Sequence, residues 1–492
     1  MLMTQNSMNN QLNTLSEELS SGQAAQTYSG LGSQAGVALG LNAQLSAIAG
    51  YSNTATTVGT TLTIAQSVLT QLQSASSDVA QSVAQQGAFT LNNDGQTTTQ
   101  STAAAQLDQI LSLLNTQVGD NYIFSGGATT QPSVASTSAI LNGTGTQAGL
   151  TQVIANRLQA DEGADVPPLG RLVIPPASGS TVSVSEDAVS PFGFKLASVN
   201  SGLTGATVTG PAGTPPSISV DLASNPNAGD TISFGLTLPD GSSQTVSLEA
   251  TTSSPPGTNQ FTIGANAAAT ASNLQAALSS AVGTLAQTAL PAASAMAAAN
   301  NFFTSDPPQV VAGPPYDTAT SLVNGTAANT VFWYTGENGN TPALQTATAQ
   351  VGPSTTISFG MRANEQAIST LVANVAVLAA TTYSASNTNA QASYQALNQK
   401  VTANLAGQSG TQSISDIEAD IANAQTTVTS ATNQNTQTQS TLSDLLQNID
   451  GVNQDQVGEQ ILTLQNSLSA SLSVTARLAS ISLLNYLAPT SG

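Results

Sequence analysis

Asp416, Glu418 and Asp420 stand at alternate positions, the spacing with which a calcium-binding loop presents its first ligands. Such a loop needs glycine at its sixth position for the sharp turn, and Ile421 stands there instead. The same run reads more simply as the start of a helix. Ser415-Asp416-Ile417-Glu418 then forms a capping box, and its carboxylates face the positive end of the helix dipole. A second group, Asp161, Glu162 and Asp165 beside Val166-Pro167-Pro168, reads as an acidic surface loop without a fixed ligand pattern. Asp161 and Glu162 are also the residues an acid–base enzyme would have to use. Paired carboxylates can hydrolyse glycosides, but sugar subsites also need aromatic platforms. The one tryptophan, Trp333, lies between Phe332 and Tyr334 in what reads as a buried strand. GLGSQAG, residues 30–36, has neither the lysine nor the preceding strand of a phosphate loop. A serine paired with Lys195 or Lys400 is formally available as a nucleophile, whereas a serine–histidine pair is not. Glu17-Glu18 reads as a solvated helix face.

Composition narrows the field further. The 492 residues include no cysteine and no histidine, with 26 acidic and 6 basic side chains and a net charge of −20. Disulfides, thiolate nucleophiles and cysteine-ligated metals are excluded, and the commonest general base and metal ligand is missing. No cofactor and no metal is expected. The basic residues are Arg157, Arg171, Lys195, Arg362, Lys400 and Arg477, too few to track phosphates, so neither nucleic acid nor an anionic membrane is an expected partner. No apolar run approaches the ~18 residues of a membrane span. The N-terminal stretch has no basic region and no apolar segment of a secretory signal peptide.

The elements that would position any of these groups fall into three parts. Met8, Leu12, Leu15 and Leu19 make a heptad seam on a first helix, interrupted at Gly22. A second helix carries Leu41, Leu45 and Ile48, then Val58, Leu62, Ala65, Leu69, Leu72 and Val79 in 4–3 rhythm, skipping Ser76. It is expected to break at Gln85-Gln86-Gly87. A third is expected over 98–116. Near the other end the pattern turns helical from about Arg362 to Leu405, stops at Gly407 and Gly410, resumes after Ser415, and breaks at Asp450-Gly451. A last helix is expected from about Asp455 to Leu487, with Leu464, Leu468, Leu472, Leu478 and Ile481 apolar.

The middle differs. Of 21 prolines, 20 lie between Pro132 and Pro353. Ile232, Phe234, Leu236 and Leu238 alternate, as do Val246, Leu248 and Ala250, with Asp240-Gly241 as a hairpin turn between them. Further strands are expected at 170–174, 181–185, 217–222, 261–263, 331–334 and 355–359. One or two helices are expected over 266–303, with a break at Pro291. The expected fold class is mainly α with an α+β insert, the long terminal helices packing antiparallel as a coiled-coil-like rod.

The run LNTLSEELSSG with the bend and long helix after it resembles the N-terminal region of bacterial flagellins. NIDGVNQDQVGEQILTLQNSLSASLSVTARLASISLLNYL resembles their C-terminal region. GDNYIFSGG, Gly119–Gly127, and the ending SLLNYL are similar to the hook–filament junction branch of that family, the hook-associated protein 3 type. The family pattern begins upstream of the position that matches Met1, which leaves an earlier start open.

The resemblance implies a structural flagellar subunit, not an enzyme, exported by a type III route to the extracellular flagellum without signal cleavage. Its implied partners are other flagellin-family subunits, hook-associated proteins, an export chaperone and the export apparatus, in a helical homo- or hetero-polymer. Residues 1–35 and 452–492 would form the inner-tube core, 36–130 and 361–451 the helical rod, and 131–360 a surface-exposed insert. The implied assembly interface is Leu12, Leu15, Leu19, Leu464, Leu468, Leu472, Leu478, Ile481, Leu483, Leu484 and Leu487. A secreted adhesion or glycan-binding protein acting through the insert is the alternative.

Overall fold

The structure is a computed structural model that describes residues 2–85, 89–407 and 410–486, with side chains left undescribed at position 2 and over 481–486. Eleven α-helices are described: α1 (Leu2–Ser21), α2 (Ala35–Ala84), α3 (Thr98–Leu114), α4 (Thr137–Asn142), α5 (Leu150–Glu162), α6 (Ala267–Gln287), α7 (Ala289–Phe303), α8 (Gln366–Ala380), α9 (Ala390–Leu405), α10 (Ile414–Asp450) and α11 (Gln454–Tyr486). The fold is mainly α, with long helices toward the termini and a β-containing middle. The chain divides into two compact units. One comprises residues 1–60, 348–357 and 424–492, and the other comprises 61–347 and 358–423.

In the first unit α1 and α11 lie antiparallel. Gln23 and Gly451 form an antiparallel bridge, and the Ala24 N–H donates to the Asp450 carbonyl at 2.6 Å. Gly22 ends α1 in the left-handed region (φ +69°), donating its N–H to the Glu18 carbonyl, a conformation glycine adopts without Cβ strain. Asn453 caps α11, its side chain accepting from the Asp455 and Gln456 N–H groups. The beginning of α2 and the second half of α10 also belong to this unit, and a Cβ at Gly59 would lie 3.5 Å from Val428.

The second unit has a helical part and a sheet part. In α8 nearly every residue from Ala367 to Ala380 is buried, and α7 is almost as enclosed. A helix that is apolar all round must be covered all round. α8 is packed by α3, α7 and α9, and α7 also meets α5. The stripe of α2 expected from sequence is buried at Leu62, Ala65, Leu69, Leu72 and Val79, and Ala75 fills the step where Ser76 breaks the rhythm.

The strands are β1 (Gln117–Val118), β2 (Asn121–Tyr122), β3 (Leu172–Val173), β4 (Thr181–Glu186), β5 (Lys195–Ser201), β6 (Ala206–Ala212), β7 (Ser217–Leu222), β8 (Thr231–Thr237), β9 (Ser243–Thr251) and β10 (Gln260–Thr262), with shorter pairs following. They form two four-stranded sheets ordered β3-β4-β7-β6 and β10-β9-β8-β5. All pairings are antiparallel except β10 with β9. The β8–β9 hairpin has the expected alternation: Ile232 faces Leu248 and Phe234 faces Val246, all buried. Gly241 turns it at φ +82°, donating to the Leu238 carbonyl. α6 lays Ala271, Leu274, Leu278, Val282 and Ala286 into the core that both sheets share.

Several boundaries differ from the sequence reading. The expected continuous helix from 362 to 405 is two helices, because Thr381–Asn389 turns. Ser384 and Asn387 there bond backbone N–H groups two residues on, in competition with helix. The break between α6 and α7 is at Thr288, and Pro291 sits inside the first turn of α7, where its missing N–H costs no helical bond. The segment 331–334 is buried but contributes only single bridges, at Tyr334 to Val134 and at the neighbouring Thr330 to Ala148. β5 and β6 were not expected; β6 only half-buries Ala206 and Val208 against the core and bulges near Pro211. α2 ends at Ala84; Gln86 and Gly87 of the expected break lie outside the described residues.

Candidate assembly interface

The groups with catalytic or metal-binding chemistry are used structurally. The capping box at α10 is Ser413 with Asp416, not Ser415 with Glu418. The Asp416 carboxylate accepts from the Ser413 N–H and hydroxyl, each at 2.8 Å, while Ser413 Oγ accepts from the Asp416 N–H. The bonds from the Ser413 backbone N–H and hydroxyl hold that carboxyl below the ordinary aspartate range. Glu418 lies one turn on and accepts from Thr70 Oγ1 at 3.3 Å. Among the described residues no cluster of three carboxylates could hold a metal ion.

Asp161 is not in a surface loop. It is fully buried on α5 and bonded to Arg157 Nε at 2.8 Å, one helical turn away, and to the Gly193 N–H at 2.9 Å. Arg157 lies 5.1 Å from the centroid of the Phe192 ring. Burial pushes the Asp161 carboxyl up, while Arg157 and these bonds pull it down. Arg171 closes the same region, donating to the carbonyls of Ala160 and Ala319 and pairing with Asp187 at 2.8 Å. A substrate has no path to Asp161, and the cluster ties α5 to the sheet part. Glu162 is raised by burial and by the neighbouring Asp161.

Lys195 pairs with Glu186 at 3.1 Å, and Lys400 pairs with Asp240 at 2.6 Å, so each amine is held in an ion pair. Trp333 is buried with its indole N–H on the Phe303 carbonyl at 2.9 Å, so its ring is not a platform for a sugar. Residues 28–34 form a 3₁₀ turn before α2 rather than a strand-to-helix phosphate loop.

The terminal helices present a different surface. On α1 the half-buried positions are Gln5, Met8, Leu12, Leu15 and Glu18. On α11 they are Ile461, Leu464, Leu468, Ser471 and Thr475, following the buried Val457 in 4–3 rhythm. Two 3.5-period stripes on antiparallel helices form a coiled-coil seam. Leu12, Leu15, Leu464 and Leu468 therefore face the partner helix of the same chain. Leu19, Leu472 and Leu478 do not: Leu472 is 52% and Leu478 49% exposed. Leu483 and Leu484, like Ile481, have side chains outside the described residues, as does Leu487 entirely.

The heptad of α11 runs through Ser471, so Leu472, one of the residues of the implied assembly interface, is turned outward. Other exposed apolar residues of this unit were missed: Met3, Tyr28, Val37, Leu39, Leu462 and Val474. Their signal is that they are apolar and off the stripe. Among the described residues most of the exposed large apolar side chains fall in this unit, whose own buried core is thin.

Gly119–Gly127 closes the N-terminal helical segment as follows. β1 and β2 form a hairpin turned at Gly119 (φ +62°). Phe124 is fully buried, and Ser125 bridges to Arg362 with the Gly126 N–H on the Met361 carbonyl at 2.9 Å.

Residues 1–129 match the family model of the bacterial flagellin N-terminal helical region. The match covers the first 129 of the 492 residues, the helical segment that ends at the 119–127 closure. No curated protein matches it. No described helix is long and apolar enough to cross a membrane.

Proposed function

We propose that this protein is a structural subunit of the bacterial flagellum that polymerises through its terminal helices. The observation that carries this is the concentration of exposed apolar residues on the terminal unit, Leu472 and Leu478 foremost, together with the family match over 1–129. Burying one such leucine stabilises by about 1.5–3 kcal/mol, repeated in every subunit. Heterologous contacts that do not close generate a helical tube. Residues 1–35 and 452–492 form the inner-tube core, 36–130 and 361–451 the rod, and 131–360 the outward insert. The assembly residues are those of the sequence reading, with Leu12, Leu15, Leu464 and Leu468 acting by holding α1 on α11. The sequence GDNYIFSGG at 119–127, with its resemblance to the junction branch, favours the hook–filament junction type, hook-associated protein 3, over the filament subunit. Export of the unfolded chain by a type III apparatus with a chaperone, extracellular location and contact with other hook-associated proteins belong to the same proposal; no catalysis does.

Deleting residues 478–487 is the test. The truncated protein should stay a soluble monomer, and a strain carrying it should lose filaments; normal motility would sink the proposal. Immunogold labelling separates the two subtypes, with few copies at the hook end for a junction protein and label along the length for a filament subunit.

A further inference from the structure

Five of the six basic residues are spent inside the second unit. Arg157, Arg171, Lys195, Arg362 and Lys400 each pair with a carboxylate of that unit. Arg477 is the exception: it lies exposed on α11 and has no ion pair among the described residues. Its flanking residues Val474 and Leu478 are exposed too. No carboxylate occurs within a helical turn of it, since Ser473, Val474, Ser480 and Ile481 occupy those positions.

The first unit also holds an acidic groove. Between α1 and α11, Glu18 and Glu459 line a cleft whose other walls are mostly amide and hydroxyl side chains, with Met3, Leu15 and Leu464 as its apolar members, and no lysine or arginine lines it. Arg477 cannot fold back to neutralise it. Eighteen residues separate Glu459 from Arg477 on one continuous helix, roughly 27 Å at ~1.5 Å per residue.

We propose that the Arg477 segment of one copy docks on the Glu18–Glu459 groove of a second copy, with Val474 and Leu478 set against Met3, Leu15 and Leu464. Charge complementarity selects this occupant, because the one basic side chain that the unit carries and the groove without a cation belong to the same polymerising surface. The contact is head-to-tail, so it repeats along an axis, and the ion pair fixes how far each copy is displaced from the last. This rests on the reading of the chain as a subunit that assembles through its terminal helices.

The chain contains no cysteine, which makes cross-linking clean. Full-length Ala476→Cys protein is mixed with differently tagged Gln460→Cys protein and oxidised. The expected product is the mixed disulfide between copies, lost when Arg477→Glu is added to the first partner. In wild-type assembly followed by light scattering, Arg477→Ala should raise the critical concentration about two- to fivefold, the range for a partly exposed ion pair. Arg477→Glu should block assembly, and Arg477→Glu with Glu459→Arg should restore it. Circular dichroism checks that each variant remains helical. If Arg477→Glu assembles like the parent, or the mixed disulfide does not form, the docking proposal is overturned while the flagellar reading stands. The flagellar reading falls separately if the 478–487 truncation assembles.

Discussion

Gln100 and Thr381 join two helix ends through a single side chain. Gln100 is fully buried, and its Nε2 donates to the Thr381 carbonyl at 2.7 Å and to the Leu378 carbonyl at 3.2 Å, at the C-terminus of α8. Its Oε1 accepts from the Thr97 N–H at 3.0 Å, completing the capping box of α3. One amide thus satisfies the start of one helix and the end of another, groups that would otherwise be orphaned in the interior.

Replacing Gln100 by leucine should therefore cost about 2–3 kcal/mol, because buried carbonyls and an N–H lose their partner together. Hydrogen exchange should quicken at the first turn of α3 and the last turn of α8 in the same variant. Faster exchange at one end alone would contradict the shared role.

Asp416 and Glu365 set opposite pH trends. The folded Asp416 carboxyl lies below its ordinary 3.8, so its stabilisation is full above that value and is lost as pH falls through the depressed one. Glu365 is raised above 4.5, burial being the largest cause, so its ionised form costs stability once pH rises through the raised value. Asp416→Asn should destabilise at about pH 7, and the difference from the parent should shrink as pH falls below the ordinary 3.8. Glu365→Gln should gain on the parent at neutral pH and lose that gain in acid. Urea unfolding followed by circular dichroism reads both, and trends of the same sign would refute the assignment.

Leu468 and Leu472 are one turn apart and should behave differently. Leu468→Ala removes half-buried seam surface and should weaken α1–α11 pairing by about 1–2 kcal/mol. Leu472→Ala should change the monomer by less than about 0.5 kcal/mol and impair assembly instead. Thermal melts and sedimentation of the two variants separate these effects; equal melts would erase the distinction.

Lys400 on α9 reaches Asp240 beside the β8–β9 turn with side chains only 12% and 9% exposed. Lys400→Ala should cost about 1.5–3 kcal/mol, since Asp240 keeps its burial and loses its cation. Removing both partners should cost less than the two single changes summed. Strict additivity would show that the pair is not coupled.

Much of this was legible from residue spacing. The stripe of α2 and the β8–β9 hairpin follow from periodicity, because one face of each is buried along its length. What escaped the sequence depends on contacts distant in the chain. Asp161 looked like part of an exposed acidic loop because its cover, Phe192 and Gly193, comes from another segment. Ser415 and Ser413 both suit a helix cap, and only the fold chooses Ser413. Leu472 and Ser471 are adjacent, and the register of α11 on α1 turns the serine inward.

Trp333 is the molecule's single tryptophan, seated against Phe303 with ring centroids 5.3 Å apart and its N–H bonded to the Phe303 backbone. Its fluorescence consequently reports on the second unit alone. Polymerisation confined to the terminal helices should leave the emission maximum unmoved, while any blue or red shift on assembly would reveal that the β-containing half rearranges when subunits meet.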